Sequence, residues 1–143
     1  MSKQIKTVQA RWIEGMEFKA TTGSAHHLTM DAGESDGGKD HGPRPMEMLL
    51  VGMAGCTGMD VVDILRKKRQ ALSGLEVRIA GTRAETHPMV YTEIEVTYIV
   101  RGKDIQPKAV EDAIRLSQTK YCGAGAMLGK TAKIETHYEI VPE

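Results

Sequence analysis

One stretch decides the fold: residues 45–70 read PMEMLLVGMAGCTGMDVVDILRKKRQ. Pro45 suits a first helical position, Glu47 places a negative charge in the first turn, and the basic run 66–69 places cations where the last carbonyls gather. These signals predict one long helix from Pro45 to Gln70. At 1.5 Å per residue it would extend roughly 39 Å, about the width of a compact chain of this size.

The predicted helix has no polar face. From Met46 to Met59 its residues are apolar or small on nearly every side, so it has to be buried all round. We therefore predict an obligate homodimer in which a second copy covers part of it. Gly52, Gly55 and Gly58 each disfavour a helix interior by up to about 1 kcal/mol, which is tolerable where another backbone or a substrate approaches. The plainer alternative is a kinked helix around an ordinary buried cysteine.

The length of 143 residues suits a single domain, 1–143, and the 19 basic residues equal the 19 acidic ones. This balance gives no excess of positive charge for nucleic acid or an anionic membrane. The N-terminus lacks an apolar signal core, and the charge-free apolar run 48–59 is shorter than a bilayer span. We expect a cytoplasmic protein, and two cysteines in a reducing compartment favour catalytic or redox use over a permanent disulfide.

Alternating apolar and polar residues predict strands on both sides of the helix. Three short strands precede it as an antiparallel meander, and the glycine-rich segment 31–42, with almost nothing to bury, is predicted to be a mobile loop. A hairpin around His87–Pro88 follows the helix. A second helix begins at Pro107, places Tyr121 on its apolar stripe and breaks at Cys122. The predicted strands are 6–13, 16–20, 26–30, 75–80, 89–101 and 132–140. This order predicts an α+β fold with antiparallel sheets packed on the long helix.

Cys56 is the candidate nucleophile. A thiol reacts as the thiolate, which a helix N-terminus or a nearby cation stabilises. Cys56 lies eleven residues after the predicted helix start, beyond the reach of the helix dipole, so a cation from another segment or the other subunit is required. Arg11 and Arg44 are the candidates, and Glu47 could orient such an arginine. The plainer alternatives are two solvated arginines and a carboxylate that only caps the helix start.

Cys122 is the other thiol, since the chain contains two cysteines. It lies at the predicted break between glycines, where its sulfur would be free to move toward Cys56. If the sulfurs meet, the pair can cycle between a dithiol and a disulfide. The neighbouring His26 and His27 face opposite sides of a strand and do not form a two-histidine metal site. We expect neither a metal nor a bound cofactor.

These motifs resemble the OsmC/Ohr family, the osmotically inducible protein C and organic hydroperoxide resistance proteins, and in particular its YhfA-like branch. The resemblance rests on PMEML at 45–49, AGC at 54–56, DVVDIL at 60–65 and Tyr121-Cys122, and it covers essentially the whole chain. It implies an OsmC/Ohr-like fold in an intertwined homodimer, with central helices back to back and an active site at each side of the interface.

The resemblance also implies a chemistry. In the peroxidase members the cysteine matching Cys56 attacks the hydroperoxide and becomes a sulfenic acid. The cysteine matching Cys122 then forms a disulfide with it, and a cellular dithiol restores both thiols. By this resemblance the chain is a thiol-dependent hydroperoxide reductase of the oxidative stress response, in which Arg44 or Arg11 activates the peroxidatic thiol and Glu47 orients the arginine.

One position departs from the family pattern. The catalytic glutamate of the peroxidases directly follows the proline, whereas here that residue is Met46 and Glu47 comes one residue later, turned by about 100°. The rival hypothesis is a non-enzymatic dimer that binds a small apolar or electrophilic ligand in the same groove, with Cys56 as a contact or sensor. A third is a structural dimer with two inert cysteines.

Overall fold

The computed structural model describes residues 3–143. The helices and strands are, in chain order, β1 (Val8–Glu14), β2 (Glu17–Thr22), β3 (His27–Met30), α1 (Pro45–Lys67), β4 (Ala71–Arg83), β5 (Tyr91–Lys103), α2 (Pro107–Leu116), α3 (Gly123–Leu128) and β6 (Lys133–Pro142). The chain divides into two compact units, residues 1–49 and 50–143, with the boundary inside α1. The predicted α+β class is confirmed, and the single domain stays a prediction.

The first unit contains the predicted antiparallel meander. β1 pairs with β2 and β2 with β3. Gly15 joins β1 to β2 with a φ of 53°, a left-handed conformation that glycine adopts without steric cost. The Trp12 indole N–H donates to the Gly15 carbonyl at 2.9 Å and fixes the same turn.

The segment between β3 and α1 is organised around Asp31, which is 2% exposed. Its carboxylate accepts the backbone N–H groups of Ala32 at 2.8 Å, His41 at 3.1 Å and Lys39 at 3.2 Å. Burial raises the pKa of Asp31, but these hydrogen bonds outweigh it and leave the pKa below its usual value. Asp31 is the one buried residue of segment 31–42, which fits the expectation that the segment has almost nothing to bury, and the mobility of the segment stays a prediction.

The second unit contains a mixed sheet in the order β4-β5-β6. β4 and β5 form the predicted antiparallel hairpin. β6, however, runs parallel to β5, with Lys133 opposite Glu93, so the prediction of purely antiparallel sheets is wrong. The segment from α2 to α3 carries the chain back to the starting end of β5, and a strand that begins there runs parallel to it.

The central helix α1 begins at Pro45 as predicted and ends at Lys67, after which Arg69 adopts a left-handed φ of 58°. Its buried residues recur every fourth position and form one face: Met53, Thr57, Val61 and Leu65. Thr57 is hydrogen-bonded to Tyr98 of β5, so this face lies against the sheet.

The other face of α1 is open in the single chain. Leu49, Val51 and Met59 are 47%, 57% and 75% exposed, so burial of the helix on every side requires the second copy, which stays a prediction. By length and composition alone, α1 is also long and apolar enough to cross a membrane. Core helices of water-soluble proteins share these two properties, and this helix uses one side to pack on a sheet.

Helix α2 buries the predicted stripe, which includes Val110, Ala113 and Ile114. A π-helical turn, Ser117–Tyr121, follows it directly. This turn winds more residues into each revolution than an α-helix does and moves Tyr121 off the stripe, leaving it 51% exposed. The expected burial of Tyr121 is therefore wrong.

Candidate functional site

The two thiols lie together. Cys56, near the middle of α1, is partly buried, Cys122 is buried, and both are free. Their sulfurs, together with a carboxylate oxygen of Asp60, all lie within 4.8 Å of one another. The cluster combines two thiols and one acid in the second unit.

The break after α2 positions Cys122. Cys122 directly follows the π-helical turn and has an extended backbone, with φ −80° and ψ 98°. Its sulfur accepts the Gly125 N–H at 3.2 Å, and so Cys122 caps the start of α3. A Cβ on Gly125 would lie 3.4 Å from that sulfur, at the short end of ordinary van der Waals contact. A glycine at this position therefore lets the backbone approach the thiol closely.

The surroundings of Cys122 keep it protonated. Burial is the largest cause that raises the pKa of its thiol, to about 11, and the Gly125 N–H acts in the opposite direction. A hydrogen bond to Cys56 and the nearby charges of Cys56 and Asp60 raise the pKa further. None of these groups is a cation. At neutral pH Cys122 is therefore a thiol that needs a base before it can act as a nucleophile.

A buried chain of hydrogen bonds ends on Asp60. Ser117 donates its hydroxyl proton to the Asp60 carboxylate at 2.8 Å, so Thr57 has to donate to Ser117, at 2.7 Å. Tyr98 then donates to Thr57, also at 2.7 Å, and accepts from the Gln118 amide at 3.0 Å. Every proton in the chain points toward Asp60, and such aligned hydrogen bonds strengthen one another.

Tyr98 is fully buried within this chain of hydrogen bonds. Burial is the largest cause that raises the pKa of its phenol, while the Gln118 N–H that donates to the phenol oxygen acts in the opposite direction. The phenol therefore stays neutral near pH 7 and holds its place in the chain.

Asp60 also faces outward. It lines a cavity of about 370 Å³ on the outer side of the π-helical turn, whose walls include Lys67, Lys68 and Tyr121. Our sequence reasoning missed Asp60 and Thr57. A signal was present, because Asp60 lies four residues after Cys56 and so on the same side of a helix that is otherwise apolar there.

The other predicted site residues lie in the first unit. Glu47 accepts the backbone N–H of Arg44 at 2.8 Å, which is the helix-start role. The Arg44 guanidinium donates to Asp40 at 2.7 Å, and this hydrogen bond raises the arginine pKa. Arg11 lies in the exposed strand β1, opposite Lys19. The assignment of Arg11, Arg44 and Glu47 to the thiol site stays a prediction.

Among residues 3–143, three groups of residues hold possible metal-binding atoms close together. One is the thiol cluster. Asp31 organises the second through its backbone hydrogen bonds, and the third is fully exposed on the sheet. The two outlying groups are Glu17, Asp31 and His41, and Glu95, Glu135 and His137. Exposed acidic groups lie close together in many proteins without a metal, so we assign no metal ligand.

Comparison with known proteins identifies the family. A family model described as OsmC-like protein matches residues 37–137. The chain belongs to the OsmC-like family. It is 38% identical over 133 residues to protein YhfA of Escherichia coli K12, covering 93% of this chain and 96% of that protein. This agrees with the resemblance identified in the sequence.

Solved structures of OsmC-like and related proteins share the fold. A hypothetical protein from Aquifex aeolicus superposes with a TM-score of 0.87 at 33% identity, covering 99% of both chains. An organic hydroperoxide resistance protein OsmC from Legionella pneumophila superposes with a TM-score of 0.71 at 11% identity, covering 97% of this chain and 99% of that one. The second likeness shows the fold alone. Family membership and the adjacent thiols support a redox role.

Proposed function

We propose that the protein is a thiol-dependent hydroperoxide reductase in which Cys56 is oxidised and Cys122 resolves the oxidised form. The observation that supports this most directly is the pair of free sulfurs, which lie within 4.8 Å of each other on separate elements of the second unit. A disulfide between them would need the sulfurs to approach to about 2.0 Å.

The burial of the two thiols distinguishes their roles. Cys56 is the more exposed of the pair, whereas Cys122 is 3% exposed and its raised pKa keeps it protonated. A hydroperoxide therefore meets Cys56 first.

The proposed cycle has three steps. The Cys56 thiolate attacks an oxygen of the hydroperoxide, the O–O bond breaks, and an alcohol leaves after taking up a proton. The sulfenic acid at Cys56 then reacts with the Cys122 thiol to give a disulfide and a water molecule. Finally an external dithiol reduces the disulfide by two thiol–disulfide exchanges and leaves as its own disulfide.

A homodimer is part of this proposal. Gly52 and Gly55 lie on the open face of α1, where a Cβ added to either glycine would have no neighbouring atom within 4 Å, and Val51 and Met59 flank them. An exposed apolar surface of this kind is typical of a protein–protein interface. Small residues at its centre would let the α1 helix of a second copy approach closely.

The remaining roles are also proposals. Either Arg44 or Arg11 supplies the cation that activates Cys56, and Glu47 positions that arginine, from the same chain or from the second copy. The reductant is a cytoplasmic dithiol.

A steady-state assay tests the proposed activity. Purified protein with an excess of dithiol should consume an organic hydroperoxide, and Cys56→Ser should abolish the consumption. Cys122→Ser should reduce it strongly and leave a sulfenic acid at Cys56, visible as a 1,3-diketone adduct by mass spectrometry. Consumption that survives in Cys56→Ser, or is absent from the wild-type protein with several dithiols, would contradict the proposal. The latter result would favour a ligand-binding role.

A further inference from the structure

We propose that Asp60 is the proton acceptor for Cys122 in the step that closes the disulfide. This inference rests on the proposed function, because it concerns the reaction of a sulfenic acid at Cys56. It starts from geometry: one carboxylate oxygen lies within 4.8 Å of both sulfurs. A proton acceptor needs to be within hydrogen-bond reach or one water away, and such contacts are often long before the reaction begins.

The step needs a base. Cys122 is 3% exposed, and its thiol has a pKa of about 11, so only about one molecule in 10⁴ is ionised at pH 7. Burial also limits direct contact with hydroxide from solvent. Asp60 is the carboxylate of the thiol cluster, and it lies one helical turn from Cys56.

The hydrogen-bond chain holds Asp60 ready to accept. Ser117 donates to one carboxylate oxygen at 2.8 Å, and Thr57 donates to Ser117 in turn. Because these donors are buried and aligned, they fix the orientation of the Asp60 carboxylate. Only one oxygen is engaged by Ser117, and the carboxylate has further acceptor positions for the Cys122 proton.

The atoms and electrons of the step balance. Cys122 passes its proton to Asp60, and the resulting thiolate attacks the sulfur of the sulfenic acid at Cys56. The S–S bond forms, the S–O bond breaks, and the leaving hydroxide takes the proton from Asp60. The products are a disulfide and a water molecule, and Asp60 ends as a carboxylate. The sulfenic acid is the only oxidant required.

Several titratable or charged groups face Asp60 from the elements around it. Lys67 forms an ion pair with Asp63 at 2.8 Å, and Lys68 is paired with Asp112 at 3.6 Å. Both lysines are therefore already neutralised by carboxylates other than Asp60. The groups around Asp60 are Cys56, Asp63 and Lys67 on α1, Lys68 just after it, Tyr98 on β5, and Tyr121 and Cys122 beyond α2.

A competing role predicts the opposite effect. If Asp60 were only a neighbouring negative charge, it would hinder ionisation of Cys122, in keeping with the rise it causes in that pKa. Its removal would then accelerate disulfide closure. If Asp60 accepts the proton, its removal slows closure, by about 10²-fold or more for the loss of a general base.

The experiment uses Asp60→Asn, which keeps an oxygen to accept from Ser117. Reduced protein is mixed with one equivalent of cumene hydroperoxide and quenched in acid over time, and mass spectrometry follows the sulfenic acid and the disulfide. The control is Asp63→Asn, which removes a negative charge from the wall of the same cavity. We expect about 10²-fold slower closure in Asp60→Asn, an accumulated sulfenic acid, and less than a twofold change in Asp63→Asn.

The pH profile separates a chemical role from a structural one. Closure in Asp60→Asn should accelerate about tenfold per pH unit between pH 7 and 9, because the reaction then follows the small thiolate fraction. Wild-type closure should vary much less. A variant that closes as fast as the wild type, or faster, would overturn the proposal. Absence of a sulfenic acid in Cys122→Ser would instead overturn the proposed function, so the two failures are distinguishable.

Discussion

The buried hydroxyl of Thr57 should stabilise the second unit measurably. Thr57 is 0% exposed, and its oxygen makes two hydrogen bonds of 2.7 Å, to Tyr98 and Ser117. Thr57→Val keeps the shape of the side chain and removes both. Ser117 still donates to Asp60, but the Tyr98 hydroxyl proton loses its acceptor. At about 1 kcal/mol for each hydrogen bond lost, the free energy of unfolding should fall by about 2 kcal/mol.

A double-mutant cycle shows whether the loss comes from the hydrogen bond itself. Tyr98→Phe removes the same bond from the other side, so the double variant should lose about 1 kcal/mol less than the sum of the two single variants. Thr136→Val, at an exposed position of β6, is the matched control and should change stability by less than about 0.5 kcal/mol.

The assay is urea unfolding followed by circular dichroism. All variants have to be compared at one protein concentration, because an oligomer's stability depends on concentration. A loss below about 0.5 kcal/mol for Thr57→Val, or strictly additive effects in the cycle, would refute the assigned hydrogen-bond chain.

The Cys122 thiol, the Asp31 carboxylate and the open face of α1 can each be tested separately. Burial raises the pKa of Cys122 from 9.0 to about 11, so the thiol of the unfolded chain ionises first, and the free energy of unfolding should fall as pH rises from about 9 through 11. Urea unfolding of the wild type and of Cys122→Ser should therefore depend differently on pH in that range. The same pH dependence in both proteins would contradict this prediction. Asp31→Asn should accelerate amide hydrogen exchange in segment 32–42, whereas the exposed Asp36→Asn should not; equal rates in both would contradict the organising role of that carboxylate. Met59→Asp places a charge on the open face of α1 and should convert a dimer into a monomer in light scattering; an unchanged mass would exclude this face as the interface.

Much of the fold could be predicted from the sequence because the sequence signals that determine it are local. The start of α1 at Pro45, the meander and the β4–β5 hairpin follow from a helix-starting proline, turn residues and alternation, each of which acts within a few residues. The parallel pairing of β6 with β5 could not be predicted in this way. It depends on where α2 and α3 return the chain, which is set by packing between distant segments.

Part of the candidate site could also be predicted from local features of the sequence. The pairing of Cys56 with Cys122 was predicted because the chain offers no third cysteine and Cys122 lies at a break flanked by glycine. The role of Asp31 was missed because its partners are backbone N–H groups, which carry no side-chain signature. The hydrogen bonds of Thr57 with Tyr98 and Ser117 join residues that are 41 and 60 positions apart in the sequence. No local sequence pattern predicts contacts between residues so far apart.

Mapping the disulfide shows whether Cys56 and Cys122 react as a pair. Fully reduced protein is treated with one equivalent of cumene hydroperoxide, its free thiols are counted, and the digested protein is analysed by mass spectrometry. We expect the loss of both thiols in each chain and a linked peptide pair that joins Cys56 to Cys122 of the same chain. Survival of both thiols, or a disulfide that joins two copies through the same cysteine, would contradict it.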